Sequence, residues 1–109
     1  MKKNLVLIGI LFSFSLFAQE RTEELLGFGV DAVGVIFQVP SSGCTDKDSF
    51  KVESLETDPV QLRLVRIKED ICELQSPWGT KVKYSYDELS LEKGQKFSIY
   101  NPLAVLRAN

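Results

Sequence analysis

Residues 81–86 read KVKYSY, and this stretch carries the clearest sign of the fold. Apolar or aromatic side chains alternate with polar ones, which is typical of a strand with one buried face. The same period of two recurs at residues 32–39, 50–53, 60–67, 97–99 and, as a last short segment, 103–106. Turn signals separate these segments. The sequence therefore predicts about six short strands in an all-β fold, a small antiparallel sandwich or barrel.

Residues 86–93 break this pattern. Ser85 and Glu88 have the spacing of a capping box, in which each side chain bonds the backbone N–H of the other residue. Lys93 and Gly94 resemble the end of a helix. We therefore expect one or two helical turns at this point. The alternative is an α+β domain, with this helix packed on one sheet.

Three other features of the chain bear on how the strands pair. In residues 60–67 the apolar side chains change face after Leu64, which indicates either a bulge or a central strand covered on both sides.

Residues 19–26 are highly charged, and we expect one helical turn or a frayed segment there. The glycines that follow, Gly27, Gly29 and Gly34, do not have the spacing of a phosphate-binding loop. We expect them at a bend or bulge.

The first 18 residues have the layout of a secretory signal peptide, with a basic head, an apolar middle and a small residue, Ala18, at the cut. The thirteen uncharged residues 5–17 would span about 20 Å as a helix, short of the bilayer core of about 30 Å. A retained membrane anchor is the alternative. We therefore expect a signal peptide at residues 1–18 and a single small β-rich domain at residues 19–109, exported to the periplasm or the extracellular space.

Cys44 and Cys72 are the two cysteines of the chain. In an oxidising compartment such a pair predicts a disulfide. The loop that it closes has about 28 residues, for which the chain-entropy model gives about 3.5 kcal/mol of stabilisation. That gain matters in a domain too small to bury much of its surface. A redox or nucleophilic role is the alternative, but the chain has neither a C-x-x-C spacing nor a histidine to activate a thiol.

The charge balance and the absence of histidine exclude several functions. Without histidine there is no Ser-His-Asp triad and no His-ligated zinc. Once the two lysines of the signal peptide are removed, 11 basic residues face 15 acidic ones, a net charge of about −4. Such a chain has no long-range attraction for nucleic-acid phosphates. We therefore expect protein partners, with no nucleic acid and, after signal cleavage, no membrane.

No cofactor, metal or catalytic residue is assigned from the sequence. Asp46 and Asp48 offer clustered oxygen ligands of the kind that calcium prefers, but the rest of a calcium loop is missing and Lys47 stands between them. Carboxylates in loops more often cap backbone amides, and we expect that role here. The acid pairs and Ser/Lys combinations of the chain lack a spacing that would fix a catalytic geometry.

Two turn clusters are the candidate binding loops. They are Pro40, Ser41 and Ser42 in the first cluster, and Pro77, Trp78 and Gly79 in the second. Proline orders such a loop in advance and lowers the entropy cost of binding, and tryptophan is a good anchor. For Trp78, however, we favour a ring folded back over one end of the core, near Cys72 and Leu74. An exposed anchor is the alternative.

Together these observations favour an exported binding module, one form of which is an inhibitor of another secreted or periplasmic protein. The alternative is a structural or assembly component of the cell envelope that associates through an unpaired sheet edge. A small hydrolase is less favoured, since it needs a concave polar pocket and a displaced pKa, so we do not expect an enzyme. Candidate loops at opposite ends of the fold, with Trp78 buried, would count against the binding module.

Overall fold

The computed structural model describes residues 20–104, which form seven strands in two sheets. The strands are β1 (Arg21–Thr22), β2 (Gly27–Val30), β3 (Gly34–Val39), β4 (Phe50–Leu55), β5 (Val60–Arg66), β6 (Thr80–Ser85) and β7 (Phe97–Ile99). A single 3-10 turn, Lys47–Ser49, is the only helical element of the described range. The prediction of an all-β fold is therefore confirmed. The expected signal peptide at residues 1–18 lies outside the described residues.

The two sheets are each built around a central strand. Sheet 1 contains β5 at its centre, with β4 on one edge and both β1 and β7 on the other. Sheet 2 has the order β2-β3-β6. All pairings are antiparallel except that between β5 and β7, which is parallel. Within residues 20–104, no helix combines the length and the apolar character needed to cross a membrane.

The apolar side chains of β5 change face after Leu64 because β5 is a central strand covered on both sides, and not because it contains a bulge. The register with β4 runs without interruption from the pair Leu55–Gln61 to the pair Phe50–Arg66. Val65 and Arg66, on opposite faces, are both buried. The end of β5 is therefore covered on both sides, as one of the two sequence interpretations required.

The hydrophobic core lies between the two sheets, because the buried faces of both contribute to one cluster. Its members are Val35, Phe37, Val39, Val82 and Tyr84 from sheet 2, Phe50, Leu62 and Leu64 from sheet 1, and Leu25, Leu89 and Leu91 from the connections. The rings of Phe37 and Tyr84 meet edge to face, with centroids 5.9 Å apart. Each fully buried aliphatic or aromatic side chain contributes about 1.5–3 kcal/mol, so this cluster is the main source of stability.

Two strands near the amino end differ from the expectation. The charged segment that we expected to be helical or frayed contains β1, which pairs with β5. Gly29 lies within β2 opposite Ile36, in a register without interruption, so the expectation of a bend or bulge is wrong for this glycine. The bend comes one step later, where the Asp31 carboxylate accepts hydrogen bonds from Val33 N at 2.8 Å and Gly34 N at 3.0 Å. The glycines give β2 a low intrinsic preference for a strand. It is a strand nevertheless, because it pairs with the central strand β3.

Ser85 and Glu88 form the predicted capping box, but residues 86–93 form a series of tight turns and no regular helix. Glu88 N donates to Ser85 Oγ at 3.1 Å, and Ser85 N donates to Glu88 Oε1 at 2.8 Å. One bond of the α-helical i→i−4 type follows, from Leu89 N to Ser85 O at 3.2 Å, and the other bonds of residues 89 and 90 span three residues. The chain then turns so that Leu89 and Leu91 both enter the core. Burial of these two leucines sets the path of the segment.

The last predicted strand, at residues 103–106, is a single bridge within the described range. Leu103 pairs with Leu25, and residues 105 and 106 lie outside that range. Just before it, buried Asn101 fills the gap between β7 and β1 along the edge of β5. Its Nδ2 donates to Glu23 O at 2.7 Å and Leu64 O at 2.8 Å, and its Oδ1 accepts from Leu64 N at 2.9 Å. One side-chain amide therefore bonds both backbone groups of Leu64, and Glu23 N adds a second donor to Leu64 O at 3.1 Å.

Candidate functional site

The two candidate loops meet at one end of the fold. Val39, the last residue of β3, pairs with Thr80, the first of β6. The loop that follows β3 and the loop that precedes β6 therefore leave the sheet side by side. A backbone hydrogen bond from Leu74 N to Ser42 O, 2.9 Å long, joins them. We name residues 40–43 and 71–79 together the loop surface.

The disulfide that the sequence predicted joins Cys44, directly after the first loop, to Cys72 in the second, and so ties the two parts of the loop surface together. The two Cα atoms are 5.7 Å apart, within the usual range for this bond. Cys44 is exposed and Cys72 half-buried, and neither belongs to the hydrophobic core. The bond therefore fastens the loops to each other at the surface and does not join strands of the two sheets.

Asp70 organises the loops from between the two cysteines. Its carboxylate accepts hydrogen bonds from Ser42 N at 2.7 Å, Thr45 Oγ1 at 2.7 Å, Cys44 N at 3.1 Å, Cys72 N at 3.0 Å and Ser41 Oγ at 3.4 Å. Three of these donors are backbone N–H groups, which would otherwise have no partner in an irregular loop. One side chain therefore fixes the conformation of both segments.

The same hydrogen bonds set the protonation of Asp70. Desolvation favours its neutral form, but the hydroxyl of Thr45 and the backbone N–H groups of Ser42, Cys72 and Cys44 outweigh it and hold the pKa of Asp70 well below its usual range. The carboxylate is therefore ionised at neutral pH. The ligand atoms of Cys44, Cys72 and Asp70 lie within 4.8 Å of one another. Their bonds are those of a disulfide and its hydrogen-bonded carboxylate, and the cluster gives no reason to assign a metal.

Buried Arg66 at the end of β5 supports the first loop from below. Its Nε donates to Glu23 Oε2 at 2.6 Å in an ion pair whose side chains are 3% and 6% exposed. Its Nη2 donates to Pro40 O, and its Nη1 to Thr45 Oγ1 and Lys68 O, each at 3.1 Å. The guanidinium therefore connects the sheet to the loop, because its N–H groups donate in both directions.

The second loop ends in a tight turn. Gly79 N donates to Ser76 O at 2.9 Å, which closes the turn around Pro77 and Trp78. Gly79 has a φ of +67°, and a Cβ placed on it would lie 1.9 Å from Val39 O. Glycine is therefore required at this position on two separate grounds. Gln38 Nε2 donates to Trp78 O at 2.6 Å and holds the turn against β3.

The loop surface exposes three large apolar side chains. They are Ile71, 85% exposed, Trp78, 73% exposed, and Leu74, 65% exposed. The interpretation that we favoured for Trp78, a ring folded back over the core, is therefore wrong. Leu74 is itself exposed and Cys72 belongs to the polar cluster of Asp70, so the predicted place has no apolar pocket for the indole to fill.

A shallow hollow of about 320 Å³ lies between the two loops. Its lining residues are Ser41, Ser42, Leu74, Gln75, Ser76 and Pro77. Both parts of the loop surface thus form its walls, with the hydroxyl residues Ser41 and Ser42 on one side and the mixed polar and apolar residues 74–77 on the other. The structure brings together the residues that the sequence named in separate places.

Asp46 and Asp48 lie outside this surface. Asp46 caps the 3-10 turn, since its carboxylate accepts a hydrogen bond from Asp48 N at 3.0 Å and the backbone N–H of Asp46 bonds Ser49 Oγ at 3.2 Å. The expectation that this acid caps the backbone is confirmed. Lys47, which stands between the two acids, pairs with Glu88 at 2.6 Å.

Sequence reasoning did not assign Arg66 and Asp70 to the site. A signal for Arg66 was present, because the alternation of Leu62 and Leu64 continues to position 66 and places the arginine on the core face of β5. No local signal marks Asp70, because all but one of its five donors are 25 or more residues away in the chain.

The chain matches no protein-family model, and no significant match was found among curated proteins or among solved structures. Its function is therefore inferred from the geometry of the loop surface.

Proposed function

We propose that this chain is an exported protein-binding module that uses the loop surface to bind another secreted or periplasmic protein. The observation that carries this proposal is that the two candidate loops share one end of the fold, where the loop surface exposes Ile71, Leu74 and Trp78. Exposed apolar side chains with a polar surround are typical of contact sites between proteins. Tryptophan is among the residues that most often dominate binding energy.

The loop surface has the rigidity that such a contact needs. Asp70 binds backbone groups of both loops, Arg66 binds the first, and the disulfide links them covalently. A surface fixed before binding loses little conformational entropy when the partner arrives. Protein inhibitors of enzymes rely on this property, so an inhibitor is one form of the proposed function.

Two observations support export. The signal-peptide layout at residues 1–18 directs a chain out of the cytoplasm. The disulfide between Cys44 and Cys72 belongs to an oxidising compartment, where such bonds form and persist.

Site-specific photo-crosslinking in the native host tests the proposal. A photoreactive amino acid replaces Leu74 or Trp78 in one pair of strains, and exposed Lys93, which lies outside the loop surface, in a control strain. We expect the two loop positions to crosslink to the same protein, with no such product from position 93. A product shared by all three positions, or different products from positions 74 and 78, would contradict the proposal.

Binding of the purified partner then gives a quantitative test. We expect Trp78→Ala to weaken binding by about 2 kcal/mol or more, the range of an interface hot spot. Leu74→Ser should weaken it as well, while Leu103→Ser, which removes a leucine of similar exposure outside the loop surface, should not. Equal affinities for all three variants would rule out the loop surface as the contact.

The second candidate function is that of an envelope assembly component. One observation favours it: β2 is an edge strand of sheet 2, and its side chains Phe28 and Val30 are about half exposed. Unpaired edges with apolar side chains associate readily with other strands. A mature protein that self-associates through this edge would support the second function over the first.

A further inference from the structure

The two sheets leave one side of the sandwich open. Among the described residues, β2 pairs only with β3, and β7 pairs only with β5. Each of these strands therefore has one edge without a neighbour. The two free edges face a common cleft of about 470 Å³, to which both strands contribute lining residues. We name it the edge cleft.

Side chains of β2 on the inner face of sheet 2 are uncovered at this cleft. Phe28 pairs with Phe37, and Val30 pairs with Val35, so each pair shares one face of the sheet. Phe37 and Val35 are fully buried, yet Phe28 is 50% and Val30 55% exposed. The core-facing side of the sheet thus continues onto β2, but nothing in sheet 1 covers it there.

Backbone groups on both walls point into the opening. Asp31 N bonds Gly34 O, and the antiparallel ladder alternates from there, so that the backbone groups of Phe28 and Val30 face away from β3. On the other wall, Tyr100 N bonds Leu62 O, which turns the backbone groups of Phe97 and Ile99 away from β5. Each wall therefore presents unpaired N–H and C=O groups in a row.

The lining of the edge cleft is mostly apolar with a single charge. It consists of Phe28, Val30, Pro59, Gln95, Lys96, Phe97, Ser98 and Ile99. Lys96 is exposed and makes no ion pair with any residue of the described range. No acidic residue lines the cleft, so its one positive charge is left for an occupant to match.

We propose that the edge cleft accepts an extended strand from a partner protein, with apolar side chains at alternate positions and a carboxylate that faces Lys96. A strand supplies backbone donors and acceptors for both walls at once, while its alternate side chains fill the apolar floor. A lipid chain would fill the floor but leave the row of peptide groups unpaired. The added strand lies between β2 and β7 and so joins the free edges of the two sheets. This inference does not depend on the loop surface.

A designed peptide tests the proposal on the mature chain, residues 19–109. The probe is a blocked peptide of about six residues, the usual strand length, with valine and threonine in alternation and glutamate at one end. The first control peptide has lysine in place of the glutamate, and the second has proline at its centre. Amide chemical shifts and hydrogen exchange of the protein report where each peptide binds.

Three protein variants complete the design. Val30→Pro removes an N–H that faces the free edge, a place where an edge strand tolerates proline. Phe28→Lys blocks the same edge by charge and serves if the proline variant does not fold. Lys96→Glu reverses the charge preference, so we expect it to bind the glutamate peptide about fivefold more weakly and to prefer the lysine peptide.

The proposal predicts that the glutamate peptide shifts and protects the amides of Phe28, Val30, Phe97 and Ile99. The proline peptide should have no effect on them, and Val30→Pro or Phe28→Lys should abolish binding. No shift at these amides with about 1 mM peptide, the weakest affinity of interest, would overturn it. Amides of Phe28 and Val30 that are already protected in the free protein would also overturn it, because the chain itself or a second copy would then cover the cleft. Displacement of the peptide by a fatty acid would overturn it as well.

Discussion

At the scale of single residues, buried polar groups fix this fold as firmly as its apolar ones. Asn101 satisfies backbone groups of Glu23 and Leu64 where neither β1 nor β7 reaches β5. Arg66 does the same for Pro40 while its charge is balanced by Glu23. In the low dielectric of the interior, a network of this kind is stable only when every member is paired.

Asn101 gives the first prediction. Asn101→Ala leaves Leu64 N without a partner, so we expect the free energy of unfolding to fall by about 2–3 kcal/mol. Asn101→Asp keeps the shape but places an oxygen against two carbonyl oxygens, and it should cost more at neutral pH. Urea unfolding measures both changes. A loss below about 0.5 kcal/mol for the alanine variant would show that water replaces the amide without penalty.

Tyr84 gives the second prediction, with Tyr86 as its matched control. The Tyr84 hydroxyl is buried without a hydrogen-bond partner among the described residues, and burial, with Glu88 and Asp48 nearby, raises the pKa of Tyr84 to about 12. Tyr84→Phe should therefore leave stability unchanged or raise it by about 1 kcal/mol. The Tyr86 hydroxyl donates to Asp31 O at 2.7 Å, so Tyr86→Phe should lower stability by about 1 kcal/mol. The opposite order of the two variants in urea unfolding would contradict this reading.

At the scale of elements, contacts between strands outweigh local preference. The alternation of apolar and polar residues was enough to predict β6. It also predicted β3, which pairs with β6 and contributes to the same apolar face. β2 was missed because it contains two glycines in four residues, and β1 because it spans only Arg21–Thr22. Both strands exist because a longer central strand offers them backbone partners, and no local signal carries that information.

Gly34 is required by the fold, whereas Gly29 could be replaced by a larger residue. A Cβ at Gly34 would lie 1.9 Å from Tyr84 O, so Gly34→Ala should destabilise the protein by about 2 kcal/mol or more. At Gly29 a Cβ meets nothing within 4 Å, and Gly29→Ala should be neutral or stabilise by up to about 1 kcal/mol. Thermal unfolding of the two variants decides the matter. Equal losses would mean that β2 does not pair as described.

At the scale of the whole molecule, one end of the fold is held by charged and polar bonds and the middle by apolar packing. The loop surface depends on Asp70 and Arg66, and the core on the facing sides of two sheets. Both kinds of contact are long-range in sequence, which is why the sequence predicted an all-β class and the two loops but not their meeting. The exposure of Trp78 also follows from this arrangement, since Leu74 is itself exposed and Cys72 belongs to the polar cluster of Asp70, which leaves no apolar pocket for the ring.

Two carboxylates with lowered pKa values, Asp31 in the β2–β3 hairpin and Asp70 beside the loop surface, make stability depend on pH. The hydrogen bond from Lys83, followed by those from Gly34 N and Val33 N, lowers the pKa of Asp31 to about 2, and the pKa of Asp70 is held well below its usual range. Both pKa values are lower in the folded state, so the stabilisation is complete above about pH 4 and is lost as the pH falls further.

We therefore expect the urea midpoint to fall below about pH 4, and to fall less in Asp70→Asn than in the natural chain. Asp58→Asn is the control, since the side chain of this exposed residue makes no hydrogen bond within the described range. An acid dependence that both variants share unchanged would show that Asp70 does not hold the loops.

Hydrogen exchange of the mature protein, alone and bound to the partner that crosslinks at position 74, tests the central claim most directly. We predict that binding slows exchange in residues 40–43 and 71–79, with the edge cleft unchanged. Protection that appears instead at β2 and β7, with the loop surface exchanging as freely as before, would contradict the assignment of the loops as the binding surface.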